Sequence, residues 1–314
     1  MHQSCGPGIA FIEEGEFHVE IVSGRHHAWR SDLLKNDCVR TASLAHRAGI
    51  RHVIVDHYGA RSRYLAELHR QGLNVGVIDD LADRDLKLVG WLLNQNLGAS
   101  EQTYLTKPDC RMLLGSRYAL LRSEFSRRAV RRRLPLQADK RVLVTLGGGD
   151  NTRLAEQVLA ALGGVKRRLD VRCVLGTIAE PPRSLLEAAR NLSHTVRLLG
   201  KVKNMAKQMA WADLSINAGG STCWELCYLG VPMIVLVLSR DQAPVAEALV
   251  DKGCAYRVGD DWAERQTGFM LSSLVEKLLN DPQERAKMSA RAQRLVDGRG
   301  AARAANALLK WAQE

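Results

Sequence analysis

Residues Asn217–Leu238, with the sequence NAGGSTCWELCYLGVPMIVLVL, decide the fold class of this 314-residue chain. The segment predicts the end of a buried strand, a Gly-Gly-Ser turn, a short helix, a Gly-Val-Pro break and a second buried strand. A turn of small residues that opens a helix is a ready anion site, because free backbone N–H groups and the helix dipole point at its N-terminus. Glu225 lies one turn into that helix, where a carboxylate can accept two hydroxyl groups of a ribose. The combination predicts a site for a nucleoside diphosphate.

The composition is typical of a soluble globular protein, with 46% hydrophobic and 25% charged residues. No apolar run reaches the roughly 18–20 residues that span a bilayer, and Met1–Ala10 lacks the pattern of a signal peptide. Seven cysteines at irregular spacing predict reduced thiols and a cytoplasmic location. Cys223 and Cys227 share a helix face, so a metal site is the alternative, but no second pair of ligands is nearby in sequence. We therefore expect no metal and no cofactor.

The formal net charge of +11 is concentrated in the run Arg127–Arg133, RRAVRRR. Aromatic residues make up only 5% of the chain and do not interleave with these arginines, so we expect no nucleic-acid partner. The run is interpreted as a solvated helix end and linker. Attraction of anionic substrates and association with an acidic membrane surface remain alternatives.

Apolar strands alternate with helical patterns along the chain. In the first half the predicted strands are His52–Tyr58, Val75–Ile78, Trp91–Leu93 and Met112–Leu114. In the second half they are Arg141–Leu146, Val171–Leu175, Val196–Leu199, Leu214–Asn217 and Met233–Leu238, and Phe269–Gln313 is predicted helical with breaks near Asp281-Pro282 and Gly298–Gly300. Such alternation predicts an α/β fold with two doubly wound parallel-sheet domains, whose ligands bind in a cleft beyond the carboxyl ends of the strands.

The predicted domain boundaries follow from the position of the basic run. They are an N-terminal α/β domain at 1–127 that is truncated at its start, a basic linker at 128–140, a second α/β domain at 141–298 and a C-terminal helix at 299–314.

Polar residues follow six of the predicted strands. They are Asp56–Gly59, Asp79-Asp80 and Asn94–Asn96 in the first half, and Gly147–Asp150, Asn217–Ser221 and Arg240–Gln242 in the second. Each group alone is ordinary turn chemistry. Their recurrence at successive strand ends predicts one binding region.

Several motifs of the chain resemble those of one enzyme family. They are VIVDHYG (53–59), IDDLADR (78–84), LLNQNLG (92–98), LLGSRYALLRSEF (113–125), TLGGGDN (145–151), NAGGSTCWELCYLGVP (217–232) and the Asp241-Gln242 pair. The series resembles the UDP-2,4-diacetamido-2,4,6-trideoxy-β-L-altropyranose hydrolases of pseudaminic acid biosynthesis, which are MurG-like and have the GT-B architecture. The resemblance implies a GT-B-like fold, and hydrolysis of a UDP-sugar at the anomeric carbon without a metal, in a pathway of flagellin glycosylation.

The resemblance also implies roles for individual residues. Tyr58 matches an active-site tyrosine of the family, where a phenol can hydrogen-bond the sugar or the attacking water. The implied nucleotide- and substrate-binding residues are Gly147, Gly148, Gly149, Asn217, Gly219, Gly220, Ser221, Glu225, Asp241 and Gln242. Gly219, Gly220 and Ser221 would approach the diphosphate and Glu225 the ribose.

The chain departs from the family at the catalytic base. The family begins with a strand and a glycine-rich loop, roughly G-x-G-H, whose histidine is the base, and no such element is seen here. The residues Phe11–Gly15 and Phe17–Val22 look like the end of the family's second helix and the following strand, so the N-terminal domain is predicted to be incomplete at its start. A truncation, a mispredicted start and a paralogue without the base stay open, as do a MurG-like glycosyltransferase and a catalytically impaired UDP-sugar-binding protein.

Two other groups in the chain are candidate substitutes for the missing base. His57 precedes Tyr58 at a predicted strand end, but the alternating pleat would aim it away from Tyr58, which favours a structural role. The pair Asp79-Asp80 would supply a carboxylate base or cap the turn that follows.

Overall fold

The computed structural model describes residues 31–125, 141–176, 178–259 and 265–314. The basic run Arg127–Arg133, the linker at 128–140 and the two predicted N-terminal elements lie outside these ranges. The chain divides into two compact units, the first assigned Met1–Asn94, Ala99–Leu114 and Ala304–Glu314 and the second Gln95–Gly98 and Gly115–Arg303. The domain boundaries given above stay a prediction.

The first unit contains a parallel sheet in the order β1-β2-β3-β4. Its strands are β1 (His52–Val55), β2 (Asn74–Ile78), β3 (Val89–Asn94) and β4 (Arg111–Leu114), with helices α1 (Ser31–Arg47) and α2 (Ser62–Arg70). The central strands β2 and β3 are rich in Val, Trp and Leu and are buried, which is typical of parallel strands covered on both faces. Leu65 and Leu68 of α2 pack into the same core.

Two glycines of this sheet make room for the last tryptophan of the chain. Helix α10 (Gly300–Ala312) carries Trp311, which is 7% exposed and meets His52 edge-on at 4.6 Å between ring centroids. A Cβ atom on Gly90 would lie 2.8 Å from Trp311 Nε1, and one on Gly76 would meet Ile54, Trp91 and Trp311. Because Gly76 and Gly90 have no side chains, they leave the space that the indole ring fills.

We expect Gly90→Ala to lower the free energy of unfolding by about 1–3 kcal/mol, because the added methyl group would clash with the indole ring of Trp311. Urea unfolding followed by tryptophan fluorescence measures the change. Trp311→Phe in the Gly90→Ala background should recover part of the loss, since the smaller ring leaves room for the methyl group. A Gly90→Ala protein as stable as the wild type would show that the ring is not seated in this way.

The second unit contains a six-stranded sheet in the order β10-β9-β8-β5-β6-β7, and all of its pairings are parallel. The strands are β5 (Arg141–Thr145), β6 (Asp170–Val174), β7 (Thr195–Leu199), β8 (Leu214–Ala218), β9 (Met233–Leu236) and β10 (Ala255–Val258). The helices are α3 (Thr152–Leu162), α4 (Arg183–Arg190), α5 (Met205–Trp211), α6 (Thr222–Leu229), α7 (Ala243–Asp251), α8 (Arg265–Asn280) and α9 (Pro282–Leu295). Two apolar clusters, one built with α6 and α7 and one with α3 and α8, pack against this sheet.

The predicted strand–helix alternation is confirmed, with two corrections. The first predicted strand stops at Val55 and not at Tyr58, because Asp56, His57 and Tyr58 are exposed and turn into the loop that closes at Gly59. Strand β10 was not predicted, since AYRV is short and carries an arginine; it forms because it pairs in register with the edge of β9.

The predicted breaks in the C-terminal helical region are also confirmed. Asp281 ends α8, and its side chain accepts a hydrogen bond from the Glu284 N–H at 2.8 Å, while Pro282 occupies the first turn of α9. Gly298 has φ +77°, and α10 begins at Gly300. Among the helices that the structure describes, none is both long and apolar enough to cross a membrane.

Candidate functional site

Three of the predicted binding loops come together at one edge of the second sheet. Strand β8 lies between β9 and β5, and all three run in the same direction. The turn Gly219–Ser221 follows β8, the loop Gly147–Asp150 follows β5, and the turn Arg240–Gln242 follows β9. These loops therefore share the carboxyl edge of three neighbouring strands, where ligands of such sheets bind.

The turn between β8 and α6 presents unpaired backbone donors. Among the described residues, the N–H groups of Gly220, Ser221 and Thr222 have no hydrogen-bond partner, and the Ser221 side chain does not cap the helix. A Cβ atom on Gly220 would meet no atom of the described residues within 4 Å, so they leave the turn open on that side. Unpaired N–H groups at the positive end of a helix dipole attract a phosphate group.

Gln242, in the turn that follows β9, stabilises the β8–α6 turn through hydrogen bonds. Its Oε1 accepts hydrogen bonds from the N–H groups of Gly219 and Leu238, both at 3.1 Å. A Cβ atom on Gly219 would lie 3.0 Å from Gln242 Cβ and from its carbonyl oxygen, so a larger residue would push Gln242 away from the turn. The Gln242 amide oxygen is thus committed to the backbone, and the predicted contact with sugar or phosphate is left to its NH2 group and to the neighbouring half-buried Asp241.

Asn217 and Cys223 lie under the turn and are completely buried. The Asn217 amide donates to the Ala218 carbonyl oxygen at 3.0 Å and to Cys223 Sγ at 3.3 Å. Burial raises the pKa of the Cys223 thiol to about 12 and raises that of Cys227 well above its ordinary value, so both thiols stay protonated. Asn217 therefore supports the turn from below, and the two thiols pack in the apolar core beneath α6. In the described part of the chain, no group of three or more His, Cys, Asp or Glu side chains is placed to hold a metal ion.

The glycine loop after β5 is exposed and bends sharply. Gly147 has φ +98°, a conformation that side chains rarely adopt, and Gly148 and Gly149 follow it in the exposed loop. Asp150 Oδ1 accepts from Thr152 N–H at 3.1 Å and from Thr152 Oγ1 at 2.8 Å; these bonds lie just before α3 and lower the Asp150 pKa. A shallow depression lies beside the loop, lined by Leu146, Gly147, Gly149, Asn151, Thr152, Ala155, Val174, Leu175 and Ile178.

Glu225 has a partner that the sequence did not indicate. Arg122 donates from Nε to Glu225 Oε1 at 2.7 Å and from Nη2 to Oε2 at 2.8 Å. Glu225 is only 7% exposed, and burial raises its pKa while Arg122 opposes the rise. Arg122 lies in the motif LLGSRYALLRSEF, but it is 103 residues from Glu225, so the sequence alone does not indicate that the two side chains pair.

In the first unit, the side chains after β1 and β2 form two separate sets of hydrogen bonds. The Tyr58 hydroxyl donates to Asp80 Oδ2 at 3.0 Å, and Tyr58 is 54% exposed. Gly59 N–H donates to His57 Nδ1 at 2.9 Å, which gives His57 a role in its own turn. The prediction that a strand pleat aims His57 away from Tyr58 is wrong, because His57 and Tyr58 both lie beyond the end of β1.

Asp79 is fully engaged in the turn that follows β2. Its carboxylate accepts from Ala82 N–H at 2.7 Å, from the Tyr104 hydroxyl at 3.0 Å and from Arg84 Nε at 3.0 Å. The side chains of Asp79 and Arg84 are 2% and 3% exposed. Asp79 thus caps the turn, which is one of the two roles that the sequence left open for the Asp79-Asp80 pair. Both of its carboxylate oxygens already accept hydrogen bonds.

Comparison with known proteins gives one family match and one broad structural likeness. The family model described as glycosyltransferase family 28 C-terminal domain matches residues 141–306, more than half of the chain. The spore coat polysaccharide biosynthesis protein SpsG of Bacillus subtilis is 25% identical over 252 residues, which are 79% of this chain and 73% of SpsG.

Solved structures extend the likeness to nearly the whole chain. MurG of Acinetobacter baumannii has a TM-score of 0.64 at 16% identity, over 93% of this chain and 85% of that one. The UDP-GlcNAc 2-epimerase of Neisseria meningitidis bound to UDP-GlcNAc has a TM-score of 0.61 at 14% identity, over 91% of this chain and 83% of that one. These likenesses confirm the predicted fold class, a GT-B-like α/β fold with parallel sheets.

Proposed function

We propose a function from one premise: the chain belongs to the family defined by the glycosyltransferase family 28 C-terminal domain. The proposed activity is that of an enzyme acting on a UDP-sugar. The specific reaction is hydrolysis of a UDP-linked 2,4-diacetamido-2,4,6-trideoxy sugar at its anomeric carbon, in pseudaminic acid biosynthesis. Water attacks the anomeric carbon and loses a proton, the bond from that carbon to the phosphate oxygen breaks, and UDP leaves with the electron pair.

The main structural support for UDP binding is the turn between β8 and α6. Three unpaired N–H groups at the start of α6 supply positive potential for a diphosphate, and the Glu225 carboxylate lies one turn further along the helix. The same donors stabilise the charge that develops on departing UDP, without a metal ion. The Neisseria meningitidis structure, which holds UDP-GlcNAc, supports a UDP-sugar as a ligand that this fold accommodates.

The sugar and the hydrolytic step rest on the motif series from Tyr58 to Gln242 and on the likeness to SpsG, a polysaccharide biosynthesis protein. Tyr58 is the proposed catalytic side chain of this step. Its exposed hydroxyl is held by Asp80, so it is oriented before a substrate arrives. In this proposal the phenol hydrogen-bonds the sugar or the attacking water.

A second candidate is a glycosyltransferase that uses the same nucleotide site. The description of the matching family model and the likeness to MurG favour it. The two candidates differ only in the group that attacks the anomeric carbon, which is water in one case and an acceptor hydroxyl in the other.

Incubation of the full chain with UDP-2,4-diacetamido-2,4,6-trideoxy-β-L-altropyranose, while UDP release is followed by chromatography, tests the proposal. We expect release without any acceptor, and about 100-fold slower release by Tyr58→Phe. Tyr118→Phe, which removes a hydroxyl from a ring that faces Arg117 in the second unit, is the matched control. Release that requires an added acceptor would favour the transferase, and UDP binding without release in either case would leave a UDP-sugar-binding protein.

A further inference from the structure

We propose that Arg122 is a positioning residue, which holds the Glu225 carboxylate in the orientation that receives the ribose hydroxyl groups of UDP. The inference rests on the proposed function, because it assumes that the nucleotide lies on the β8–α6 turn. It goes beyond that function because it assigns nucleoside specificity to a contact between Arg122 and Glu225.

The Arg122–Glu225 contact fixes the direction of the carboxylate. Two N–H···O bonds of 2.7 and 2.8 Å tie both carboxylate oxygens to the same guanidinium group. Such bidentate pairs add geometric specificity as well as energy. A single hydrogen bond, or a lysine in place of the arginine, would leave the carboxylate free to rotate.

Arg122 is itself held by neighbours in the same unit. Its guanidinium carbon lies 5.4 Å from the centre of the Phe125 ring, and Phe125 is completely buried. Glu124 Oε1 lies 3.5 Å from Arg122 Nη1 and also accepts the Met205 N–H at 3.0 Å, at the start of α5. The arginine is therefore ordered before a ligand arrives.

The paired carboxylate still has acceptor capacity. A carboxylate offers about four lone-pair sites, and the bidentate arginine takes one on each oxygen. The remaining sites suit two neighbouring hydroxyl donors, which a ribose presents and a 2′-deoxyribose does not. Arg122 also opposes the rise in the Glu225 pKa that burial causes, and so favours the ionised form, which only accepts hydrogen bonds.

Calorimetric titration of the full chain with UDP and with 2′-deoxy-UDP tests the inference. We expect the wild type to bind UDP about ten- to a hundredfold more tightly, because the deoxy compound lacks one hydroxyl that donates to a carboxylate. Glu225→Gln and Arg122→Gln should both bring this ratio to within about twofold of unity, whereas Arg122→Lys should give an intermediate ratio. Arg197→Gln is the matched control, because Arg197 pairs with Asp170 and is 51% exposed like Arg122.

The outcomes separate the inference from the function on which it rests. A wild type that binds neither nucleotide would overturn both. A wild type that binds UDP and 2′-deoxy-UDP equally, or an Arg122→Gln protein that keeps the wild-type ratio, would overturn the inference and leave the UDP site in place. An effect on folding alone would lower the thermal midpoint without changing the ratio, and if Arg122→Gln does not fold, the ratio of Arg122→Lys decides.

Discussion

Asp79→Ala is expected to lower the free energy of unfolding by about 3–5 kcal/mol, because it leaves Arg84 as a buried charge without its partner. The carboxylate also accepts hydrogen bonds from the Ala82 N–H and the Tyr104 hydroxyl, so two further donors lose their acceptor at once. Ala82 has φ +51°, which makes the turn dependent on this cap. Hydrogen exchange of the β2 and β3 amides measures the loss in the first unit without assuming that both units unfold together.

The matched control for this prediction is Asp83→Ala in the same loop. Asp83 pairs with Arg61 at the surface, with 40% and 56% of the two side chains exposed, so its removal should cost no more than about 1 kcal/mol. The double variant Asp79→Leu/Arg84→Met should recover only part of the loss: no buried charge remains, but the carbonyl groups of His57, Ala60 and Ile78 lose the Arg84 donor. Equal effects of Asp79→Ala and Asp83→Ala would show that Asp79 is not the structural centre of the turn.

The sheet order shows what the sequence could predict about the site. Buried strands such as Leu214–Ala218 were predictable because their residues are apolar over a strand's length, and the turn after β8 was predictable from its small residues. That β8 lies between β5 and β9 is typical of a doubly wound sheet, but the alternation alone predicts only the fold class, and the structure supplies the strand order.

The partners of the polar side chains could not be predicted in this way. Asp79 and Asp80 are neighbours in sequence, yet one is buried with Arg84 and the other faces the Tyr58 hydroxyl. Glu225 pairs with an arginine 103 residues away, and the Gln242 side-chain oxygen accepts hydrogen bonds from two backbone N–H groups. Such contacts depend on loop conformations of a few residues, which hydrophobic periodicity does not encode.

Gly220→Asp is expected to weaken UDP binding by at least about 100-fold while leaving the fold intact. The added Cβ atom has no protein atom within 4 Å, and the backbone of Gly220 does not need a positive φ, so the substitution fits the turn. The new carboxylate would lie where the proposal places the diphosphate. Like charges brought together at a binding site cost several kcal/mol, and about 2.7 kcal/mol is already a factor of 100. Calorimetric titration with UDP measures the change, and thermal unfolding checks the fold.

Gly259→Asp is the control for the added charge, because Gly259 lies in the same unit, follows β10 two strands away from β8, and has no described atom within 4 Å of an added Cβ atom. It should weaken UDP binding far less than Gly220→Asp does, because two strand spacings, about 10 Å, are close to the Debye length at physiological salt. Gly220→Ala adds bulk without charge and should fall between the two. A Gly220→Asp protein that binds UDP as tightly as Gly259→Asp would remove the β8–α6 turn from the diphosphate site. In that case the unpaired N–H groups would be ordinary solvated helix ends, and the glycine loop after β5 would become the leading candidate for the phosphates.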